Sequence, residues 1–435
     1  MKKIKKYSIF IGICLFPQFI ASQNYIDLNV YKDQVYQEQK EGIIEKLFKS
    51  GWQSFTSSIN ESIYSDNISS DKFWNMLHQS MEQGTFYNRL ANSQIIDYQT
   101  GGDIFLSAIY SSIEQVPVKY RSTLPNGDSV TLSGKIFLPK NHVAKNIIIA
   151  NHYTICSNNE APSNANSIEG IYATKGYIVL MPDYIGYGIT DSITHPYLHL
   201  ASSVSAAVDL LKSAVPYLKA QSYTFYNSII LLGYSQGAAV TLALQKTLEE
   251  QYAYQYPLSK VFAGAGPYDL SATFDYYTEQ VTTDIPCSLP MLILGMNYGE
   301  NLGLHREDFF QPSLIEKCPV YIESKTKVFY EVNSALGNNI SFLLKPIIFQ
   351  KDSFPTSVLY EAVRKNNIIN WTPKTTLFLF HSKEDNMVPY FNSEHLKAAF
   401  DKQELDDDDI EYDFGNYGNH MNAAITFFEK VYKSL

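Results

Sequence analysis

The feature that most constrains the fold of this chain is a serine between two glycines, placed where an apolar strand meets a helix. Residues 228–232 read Ser-Ile-Ile-Leu-Leu, a short apolar run typical of a buried strand. The run leads directly into Gly233-Tyr-Ser-Gln-Gly237, and small and apolar residues then predict a helix from Ala238. Glycines suit both flanks because strand and helix pass closely at such a turn. The pattern therefore predicts a strained backbone at Ser235, with its hydroxyl pointing out of a sheet.

Strand and helix patterns alternate on both sides of this turn. Residues 116–138 alternate in polarity around Pro125-Asn-Gly-Asp128, which predicts a hairpin. Residues 198–218 carry apolar side chains at helical spacing. Further strands are predicted at 146–150, 177–181, 375–380 and 410–414. This alternation predicts an α/β fold with a mainly parallel sheet that is covered on both faces.

One long segment interrupts the alternation. Residues 270–370 are rich in Tyr, Phe, Asn and Pro, and we expect them to form a cap inserted late in an α/β domain that spans 111–435. Large aromatic side chains suit an apolar pocket, and the cap is expected to supply most of that pocket. The aromatic residues considered for this role are Phe274, Tyr276, Tyr277, Phe309 and Phe310. Residues 23–110 are predicted to be a helical and loop lead-in that packs on this domain.

The N-terminus has the pattern of an export signal. Four lysines precede an apolar stretch, and Ile20-Ala21-Ser22 supplies small residues before Gln23. We expect residues 1–22 to be a signal peptide, cleaved near Ser22, and the protein to be secreted or periplasmic. A lipoprotein signal at Cys14 is the less favoured alternative, because Ile13 is not a small residue.

Loss of the leader would leave three cysteines, which allow at most one internal disulfide. Cys287 and Cys318 are the favoured pair because they lie in one region of the sequence. Three buried thiols, including Cys156, are an equally good alternative. No cysteine or histidine cluster has metal-ligand spacing, so the sequence implies no metal. The acidic run 406–409 is read as a solvated turn rather than a calcium loop.

Charge limits the partners that the chain can take. The formal net charge is −10, and removal of the four leader lysines would make it −14. An acidic surface repels phosphates, so nucleic-acid binding is not expected. Beyond the leader no run of 18 apolar residues appears, so no integral membrane span is expected.

A nucleophilic serine needs a base and an acid that orients the base. In the chain order serine, acid, histidine, the acid follows a late strand and the histidine follows the last strand. Asp385 lies just after the predicted strand 375–380, with Glu384 as a close competitor. His420 follows the last predicted strand and opens the C-terminal helix. These positions make Ser235, Asp385 and His420 the candidate triad.

Acyl transfer also needs hydrogen-bond donors for the oxyanion that develops on the carbonyl. The backbone N–H of Gln236, directly after the serine, is one candidate. The second donor should come from the loop after strand 146–150, where Tyr153 is preferred and Thr154 is the alternative. His152, in the same loop, is more simply read as a structural residue.

These residues resemble the α/β-hydrolase superfamily. Pro182-Asp-Tyr-Ile-Gly-Tyr-Gly188, His195-Pro-Tyr197 and the Gly-Tyr-Ser-Gln-Gly turn together look like the secretory lipase family and related secreted bacterial serine esterases. The resemblance covers roughly residues 115–435 and implies ester hydrolysis through an acyl-enzyme, without a cofactor. It assigns the triad to Ser235, Asp385 and His420, and a structural turn to the Asp183 segment. The chain departs from the pattern in lacking a glycine-rich oxyanion loop.

The function predicted from the sequence is that of a secreted serine esterase or lipase. Its substrate would be a small-molecule or polysaccharide-linked ester. A secreted serine peptidase of the same fold is the first alternative, because the same triad serves peptidases. A peptidase of this fold often carries a large N-terminal domain, and fewer than 120 residues precede the hydrolase region here. A non-catalytic binding protein on a hydrolase scaffold is the second alternative, although such proteins usually lack a triad member.

Overall fold

A nine-stranded sheet forms the centre of the part of the chain that the computed structural model describes, namely residues 25–32, 74–75, 77–78, 112–403 and 409–435. The sheet order is β1-β2-β3-β5-β4-β6-β7-β8-β9. β3 is antiparallel to β2 and β5, and the other neighbours are parallel. The strands are β1 (Ile26–Asp27), β2 (Ile113–Thr123), β3 (Ser129–Pro139), β4 (Ile147–Asn151), β5 (Ile178–Pro182), β6 (Ile229–Tyr234), β7 (Leu258–Gly264), β8 (Leu377–Ser382) and β9 (Ile410–Gly415). The predicted α/β class with a mainly parallel sheet is confirmed.

Helices cover both faces of the sheet and fill the interval between β7 and β8. They are α1 (Asn29–Lys32), α2 (Leu200–Ala220), α3 (Gln236–Gln251), α4 (Leu270–Glu279), α5 (Ser288–Gly299), α6 (Arg306–Phe309), α7 (Pro312–Cys318), α8 (Phe329–Leu336), α9 (Thr356–Lys365), α10 (Phe391–Asp401) and α11 (His420–Ser434). Short 3₁₀ segments at 158–160, 168–175 and 188–190 lie between the strands. The elements before β7 thus follow the predicted pattern closely.

The central strands are apolar throughout because each one is buried on two faces. Successive side chains of a strand point to opposite sides. In β4, Ile147 and Ile149 pack in the core that contains α2 and α3. Ile148 and Ala150 pack in the second core, which contains Phe427 of α11. A parallel sheet between two layers of helices requires such uninterrupted apolar runs.

The structure contains elements that the sequence patterns did not predict. Strand β7 was missed because Ser259 and Lys260 shorten its apolar run to Val261–Ala263. Residues 270–370, here called the cap segment, fold mainly as helices α4–α9, although their periodicity is weak. These helices are short and enclose a core of their own, so apolar residues occur on several sides and blur the helical period.

The described part of the N-terminal region packs against the sheet domain. Leu28 is fully buried in the main core, and the rings of Tyr31 and Tyr217 lie 5.0 Å apart. Trp74 is also fully buried, with its ring 5.8 Å from that of Tyr432. The predicted signal peptide, most of the predicted lead-in and residues 406–408 of the acidic run lie outside the described residues.

Candidate active site

Ser235 occupies a sharp turn between β6 and α3. Its backbone has φ 57° and ψ −127°, a conformation that is sterically disfavoured for a residue with a Cβ atom. The turn depends on both flanking glycines. A Cβ atom on Gly233 would lie 2.1 Å from the carbonyl oxygen of Gly237, and one on Gly237 would lie 1.9 Å from that of Asn151. The strained turn predicted from the sequence is therefore confirmed.

Asp385 and His420 come together at the carboxyl edge of the sheet. Asp385 follows β8, and His420 is the first residue of α11, just beyond β9. The His420 ring nitrogen Nδ1 lies 2.6 Å from Oδ2 of Asp385. The other carboxylate oxygen, Oδ1, accepts hydrogen bonds from the backbone N–H groups of Met387 and Val388, at 2.9 Å and 2.7 Å. Both partners are buried, with side-chain exposures of 0% for Asp385 and 5% for His420.

This environment keeps Asp385 ionised. Burial alone would raise the pKa of its carboxyl group, because the charged form loses hydration. The neighbouring His420 and His381, together with their hydrogen bonds, outweigh burial and hold the pKa of Asp385 well below its usual range. An anionic carboxylate 2.6 Å from Nδ1 favours the tautomer with a proton on Nδ1. That tautomer leaves Nε2 of His420 free to accept a proton.

Glu384, the competing acid, serves a different contact. Its Oε2 accepts a hydrogen bond of 3.0 Å from the backbone N–H of Gly418, in the loop before His420. Ser382 joins the same two loops, because its hydroxyl donates to the carbonyl oxygen of Gly418 at 2.6 Å. Glu384 and Ser382 thus tie the acid loop to the histidine loop, while Asp385 faces the imidazole.

A second histidine, His381, contacts Asp385 from the strand side, and the sequence analysis did not single it out. His381 is fully buried, and its Nε2 lies 3.4 Å from Oδ2 of Asp385 and 3.1 Å from the carbonyl oxygen of Val388. Its Nδ1 lies 2.7 Å from the hydroxyl of Ser393. The available signal was a histidine inside an apolar strand, four residues before the candidate acid.

The turn at Ser235 lies against the Asp385–His420 pair. The hydroxyl of Tyr234, the residue before the serine, donates to the carbonyl oxygen of His420 at 2.7 Å. The Tyr234 and His420 rings are 4.9 Å apart. Ser235 also lines one pocket together with Met387 and Val388, which follow the candidate acid. Ser235 therefore lies at the same edge of the sheet as the Asp385–His420 pair.

The two candidate oxyanion donors lie on segments that touch. Gln236 opens α3, where the first N–H groups of a helix have no acceptor within that helix. The close approach of Gly237 to Asn151 holds this helix end against the loop that carries Tyr153. The Tyr153 residue is 39% exposed, whereas the Thr154 hydroxyl lies 2.9 Å from that of Tyr197. The assignment of Gln236 and Tyr153 as donors stays a prediction.

His195, part of the His-Pro-Tyr motif, contacts the side chain of Gln236. Nδ1 of His195 lies 2.7 Å from the carbonyl oxygen of Ile185, so this nitrogen carries the proton. Nε2 then accepts from the amide nitrogen of Gln236 at 3.3 Å. Burial lowers the pKa of His195 to about 3, so the ring is neutral. This contact orients the side chain of the residue that follows the candidate nucleophile.

His152 and Asp183 are buried beside the candidate oxyanion loop. The two ring nitrogens of His152 lie 2.7 Å and 3.3 Å from the carbonyl oxygens of Tyr153 and Asp183. Burial lowers the pKa of His152 to about 4. The Asp183 carboxylate accepts from the Ser133 hydroxyl at 2.5 Å and from the Ser163 backbone N–H at 2.8 Å. Both residues thus brace backbone segments, which agrees with the structural roles expected from the sequence.

A small pocket beside Ser235 is formed largely by the cap segment. Its walls come from α4, α5, Tyr197 and the residues after Asp385, and its volume is about 40 Å³. Of the five aromatic residues considered for this pocket, Phe274 and Tyr277 line it. Tyr276 is instead 41% exposed, and Phe309 and Phe310 pack in the core of the cap segment. The alternative of internal cap packing thus holds for two of the five.

The favoured disulfide between Cys287 and Cys318 is absent. Cys156, Cys287 and Cys318 are all free, buried thiols. The sulfur of Cys287 lies 3.9 Å from that of Cys156, in the candidate oxyanion loop, because α5 packs over that loop. Proximity in the sequence was a poor guide here, since two helices, α5 and α6, lie between Cys287 and α7, the helix that ends at Cys318.

Two further features are absent from the described residues. No three His, Cys, Asp or Glu side chains within the described residues cluster in a way that could hold a metal ion. Across the same residues, no helix combines the length and apolar character needed to span a bilayer.

The sheet order, the strained serine turn and the late acid and histidine loops define the chain as a protein with the α/β-hydrolase fold. Among solved structures it is similar to a candidate hydrolase from Legionella pneumophila, with TM-score 0.68, 22% identity and coverage of 74% of this chain and 88% of that one. The rice cell wall degrading esterase LipA from Xanthomonas oryzae has TM-score 0.64, 22% identity and coverages of 76% and 92%. Candida antarctica lipase A has TM-score 0.55, 15% identity and coverages of 72% and 74%.

At these identities the likeness establishes the fold. No family model matches the sequence, and no curated protein sequence does. The fold resemblance inferred from the serine turn and the two flanking motifs is thus confirmed by structural neighbours.

Proposed function

We propose that this chain is a serine hydrolase that cleaves carboxylic esters through an acyl-enzyme. The observation that carries the proposal is the strained turn at Ser235 beside the buried Asp385–His420 pair. A serine with a purely structural role gains nothing from the strain of this turn, whereas in a nucleophile the turn directs the hydroxyl away from the end of the strand.

The reaction would proceed in two halves. Oγ of Ser235 attacks the ester carbonyl while Nε2 of His420 takes the hydroxyl proton. The alkoxide that develops on the carbonyl oxygen is stabilised by backbone N–H donors, for which Gln236 and Tyr153 are the candidates. Collapse breaks the ester C–O bond, and His420 gives its proton to the leaving alcohol. Water then repeats the sequence on the acyl-enzyme, which releases the carboxylic acid and restores Ser235.

Asp385 contributes by holding the imidazole of His420 and by stabilising its charged form. Its hydrogen bonds from Met387 and Val388 fix the carboxylate, so the anion does not have to reorganise during the reaction. The low pKa of Asp385 keeps it ionised over the whole physiological range of pH.

Ester hydrolysis is preferred over peptide hydrolysis for two reasons. The structural neighbours reported above include an esterase and a lipase, and the pocket beside Ser235 is apolar. The export signal predicted at residues 1–22 supports an activity outside the cytoplasm as part of this proposal. N-terminal sequencing of the exported protein should give a first residue near Gln23.

A fluorophosphonate probe tests the hydrolase proposal directly. Such a probe phosphonylates an activated serine, and digestion followed by mass spectrometry should place the adduct on Ser235. Ser235→Ala should lose the label and all measurable esterase activity, while it keeps the wild-type unfolding midpoint. Ser213→Ala, which removes a fully buried serine hydroxyl on α2, is the matched control and should keep the label. A folded protein that remains unlabelled would favour the binding-protein alternative, and cleavage of peptides but not esters would favour the peptidase.

A further inference from the structure

The pocket beside Ser235 is small enough to indicate which esters fit. We propose that the substrate carries a short, uncharged acyl chain of about four carbons or fewer, which occupies this pocket. The inference deepens the proposed function and rests on it, since it takes Ser235 as the nucleophile. Its observations are the volume of the pocket, the packing of its walls and the absence of charge along the described lining.

The volume sets the length of the chain. The pocket offers about 40 Å³. A single water-sized group needs roughly 10–15 Å³, so the pocket has room for only a few such groups. A methylene or methyl group is similar in size to a water molecule. With its carbonyl carbon at Ser235, a butyryl group places three further carbons in the pocket.

The walls leave little room for expansion. Phe274 of α4 and Leu289 and Leu292 of α5 line the pocket and are 1%, 2% and 4% exposed. All three also belong to the core of the cap segment, so more cap residues pack behind them. A longer chain would have to displace these side chains, and close-packed interiors resist such overpacking.

Hydrogen bonds hold the mouth of the pocket in place. The hydroxyl of Tyr277, on α4, donates to the carbonyl oxygen of Met387, in the loop that follows Asp385. Beside it, the Asn386 side chain donates to Asp284 at 2.7 Å and accepts from the His420 backbone N–H at 3.2 Å. The cap segment is thus tied to the loop that bears the candidate acid.

The described lining carries no charged side chain, which selects among short acyl groups. Its polar members are hydroxyl groups and the Gln236 amide. A carboxylate at the far end of a dicarboxylic half-ester would lose hydration there without a cationic partner, which is costly. Acetyl, propionyl and butyryl groups are both short enough for the pocket and uncharged.

The test is a chain-length series on the wild-type protein, with p-nitrophenyl acetate, butyrate, octanoate and palmitate as substrates. We expect kcat/KM to be highest at acetate or butyrate and to fall at least tenfold at octanoate, since even one methylene in an apolar pocket changes kcat/KM by about 10-fold or more. Equal or higher kcat/KM for octanoate would overturn the inference.

A matched pair of variants tests whether the pocket sets this preference. Phe274→Ala enlarges the pocket and should raise kcat/KM for octanoate relative to butyrate by at least tenfold. Phe309→Ala removes the same ring from the cap core away from the pocket and should keep the wild-type ratio. A shift of the same size in both variants would contradict the inference. If Phe274→Ala fails to fold, Leu289→Ala, a smaller truncation in the same wall, tests the same change in chain-length preference.

Fluorophosphonate labelling separates the two levels of the proposal. If the wild-type protein is labelled at Ser235 but prefers octanoate, only the chain-length inference is wrong. If the folded protein does not react with the probe, the proposed function is wrong, and so is the chain-length inference.

Discussion

At the scale of single residues, the contacts distinguish Asp385 from its neighbour Glu384. Asp385 faces the imidazole of His420 at 2.6 Å, whereas Glu384 accepts from the backbone N–H of Gly418. Adjacent residues in a turn point in different directions, so only one carboxylate reaches the ring. Replacing each carboxylate with the matching amide should therefore have different effects on activity.

Asp385→Asn should lower kcat at neutral pH by on the order of ten-thousand-fold, the loss seen when the acid of a serine protease triad becomes an amide. The amide can donate a hydrogen bond to Nδ1 and so favours the wrong tautomer of His420. Glu384→Gln should change kcat by less than tenfold, because the amide oxygen still accepts from Gly418. The measurement is the steady-state kcat of both variants on one ester. A large loss of kcat in Glu384→Gln together with an active Asp385→Asn would identify Glu384 as the acid instead.

Gly237 makes a second prediction at this scale. A Cβ atom there would lie 1.9 Å from the carbonyl oxygen of Asn151, so Gly237→Ala must push α3 away from the loop that carries Tyr153. Both the urea midpoint and kcat should fall. Gly303→Ala is the control: Gly303 has a positive φ, unlike Gly237, but nothing lies within 4 Å of its added Cβ.

In that control, only the left-handed backbone is penalised, at about 1–2 kcal/mol, and kcat should be unchanged. Equal losses of stability in the two glycine variants, with full activity in Gly237→Ala, would show that the close approach to Asn151 is unimportant.

At the scale of elements, the cap segment is joined to the sheet domain by side chains from the loops that surround the site. Tyr197, beside the nucleophile turn, packs so closely on α5 that a Cβ atom on Gly295 would lie 2.4 Å from the Tyr197 backbone nitrogen. Lys325, near the middle of the cap segment, donates to the carbonyl oxygen of Asp191 at 2.8 Å. Burial lowers the pKa of Lys325 to about 8. The cap segment is therefore in direct contact with the loops beside the site.

The thiols report on the same junction between loop and cap. Mild oxidation of the folded protein with diamide should join Cys156 to Cys287, whose sulfurs are 3.9 Å apart, because a small rotation brings them to bonding distance. Two thiols are oxidised and diamide is reduced to its hydrazine. Mass spectrometry of a non-reduced digest identifies the linked peptides. Cys318→Ser should keep the link, Cys287→Ser should abolish it, and a Cys287–Cys318 link in the folded protein would contradict the packing.

At the scale of the whole molecule, buried titratable groups tie stability to pH. Glu169 is 2% exposed, and its Oε2 has no hydrogen-bond partner among the described residues. Burial raises the pKa of Glu169 from 4.5 to about 7. Because the folded state holds this proton more tightly than the unfolded state, the contribution to stability is present below pH 4.5 and is lost as pH rises through about 7.

Glu169→Gln should therefore stabilise the protein more at about pH 8 than at about pH 5, by roughly 2–3 kcal/mol. The neutral amide has no proton to lose as the pH rises. Urea unfolding of wild type and variant at both pH values measures the difference. As a control, Glu361→Gln, at an exposed surface position, should change the free energy of unfolding by the same amount at both pH values. A pH-independent effect of Glu169→Gln would mean that the buried carboxyl is ionised at a lower pH.

The sequence alone determined the features that depend on neighbouring residues. An apolar run, two glycines and a helix pattern were sufficient to predict the turn at Ser235, because the steric exclusion at Gly233 comes from Gly237 and Thr241, a few residues away. The order of strands placed Asp385 and His420 after β8 and β9, and a parallel sheet brings the carboxyl ends of its strands to one edge. The fold class and the candidate triad positions could be read for this reason.

Only the tertiary structure decided the features that depend on packing between distant segments. Three features fall in this class: the placement of His381 against Asp385, the contact of the Cys287 thiol with Cys156 rather than Cys318, and the division of five cap aromatics between pocket, core and surface. The short helices of the cap segment bury residues on several sides, so their periodicity does not show which side chain meets which neighbour. Side-chain contacts across a fold depend on how whole helices are seated, and local patterns in the sequence do not carry that information.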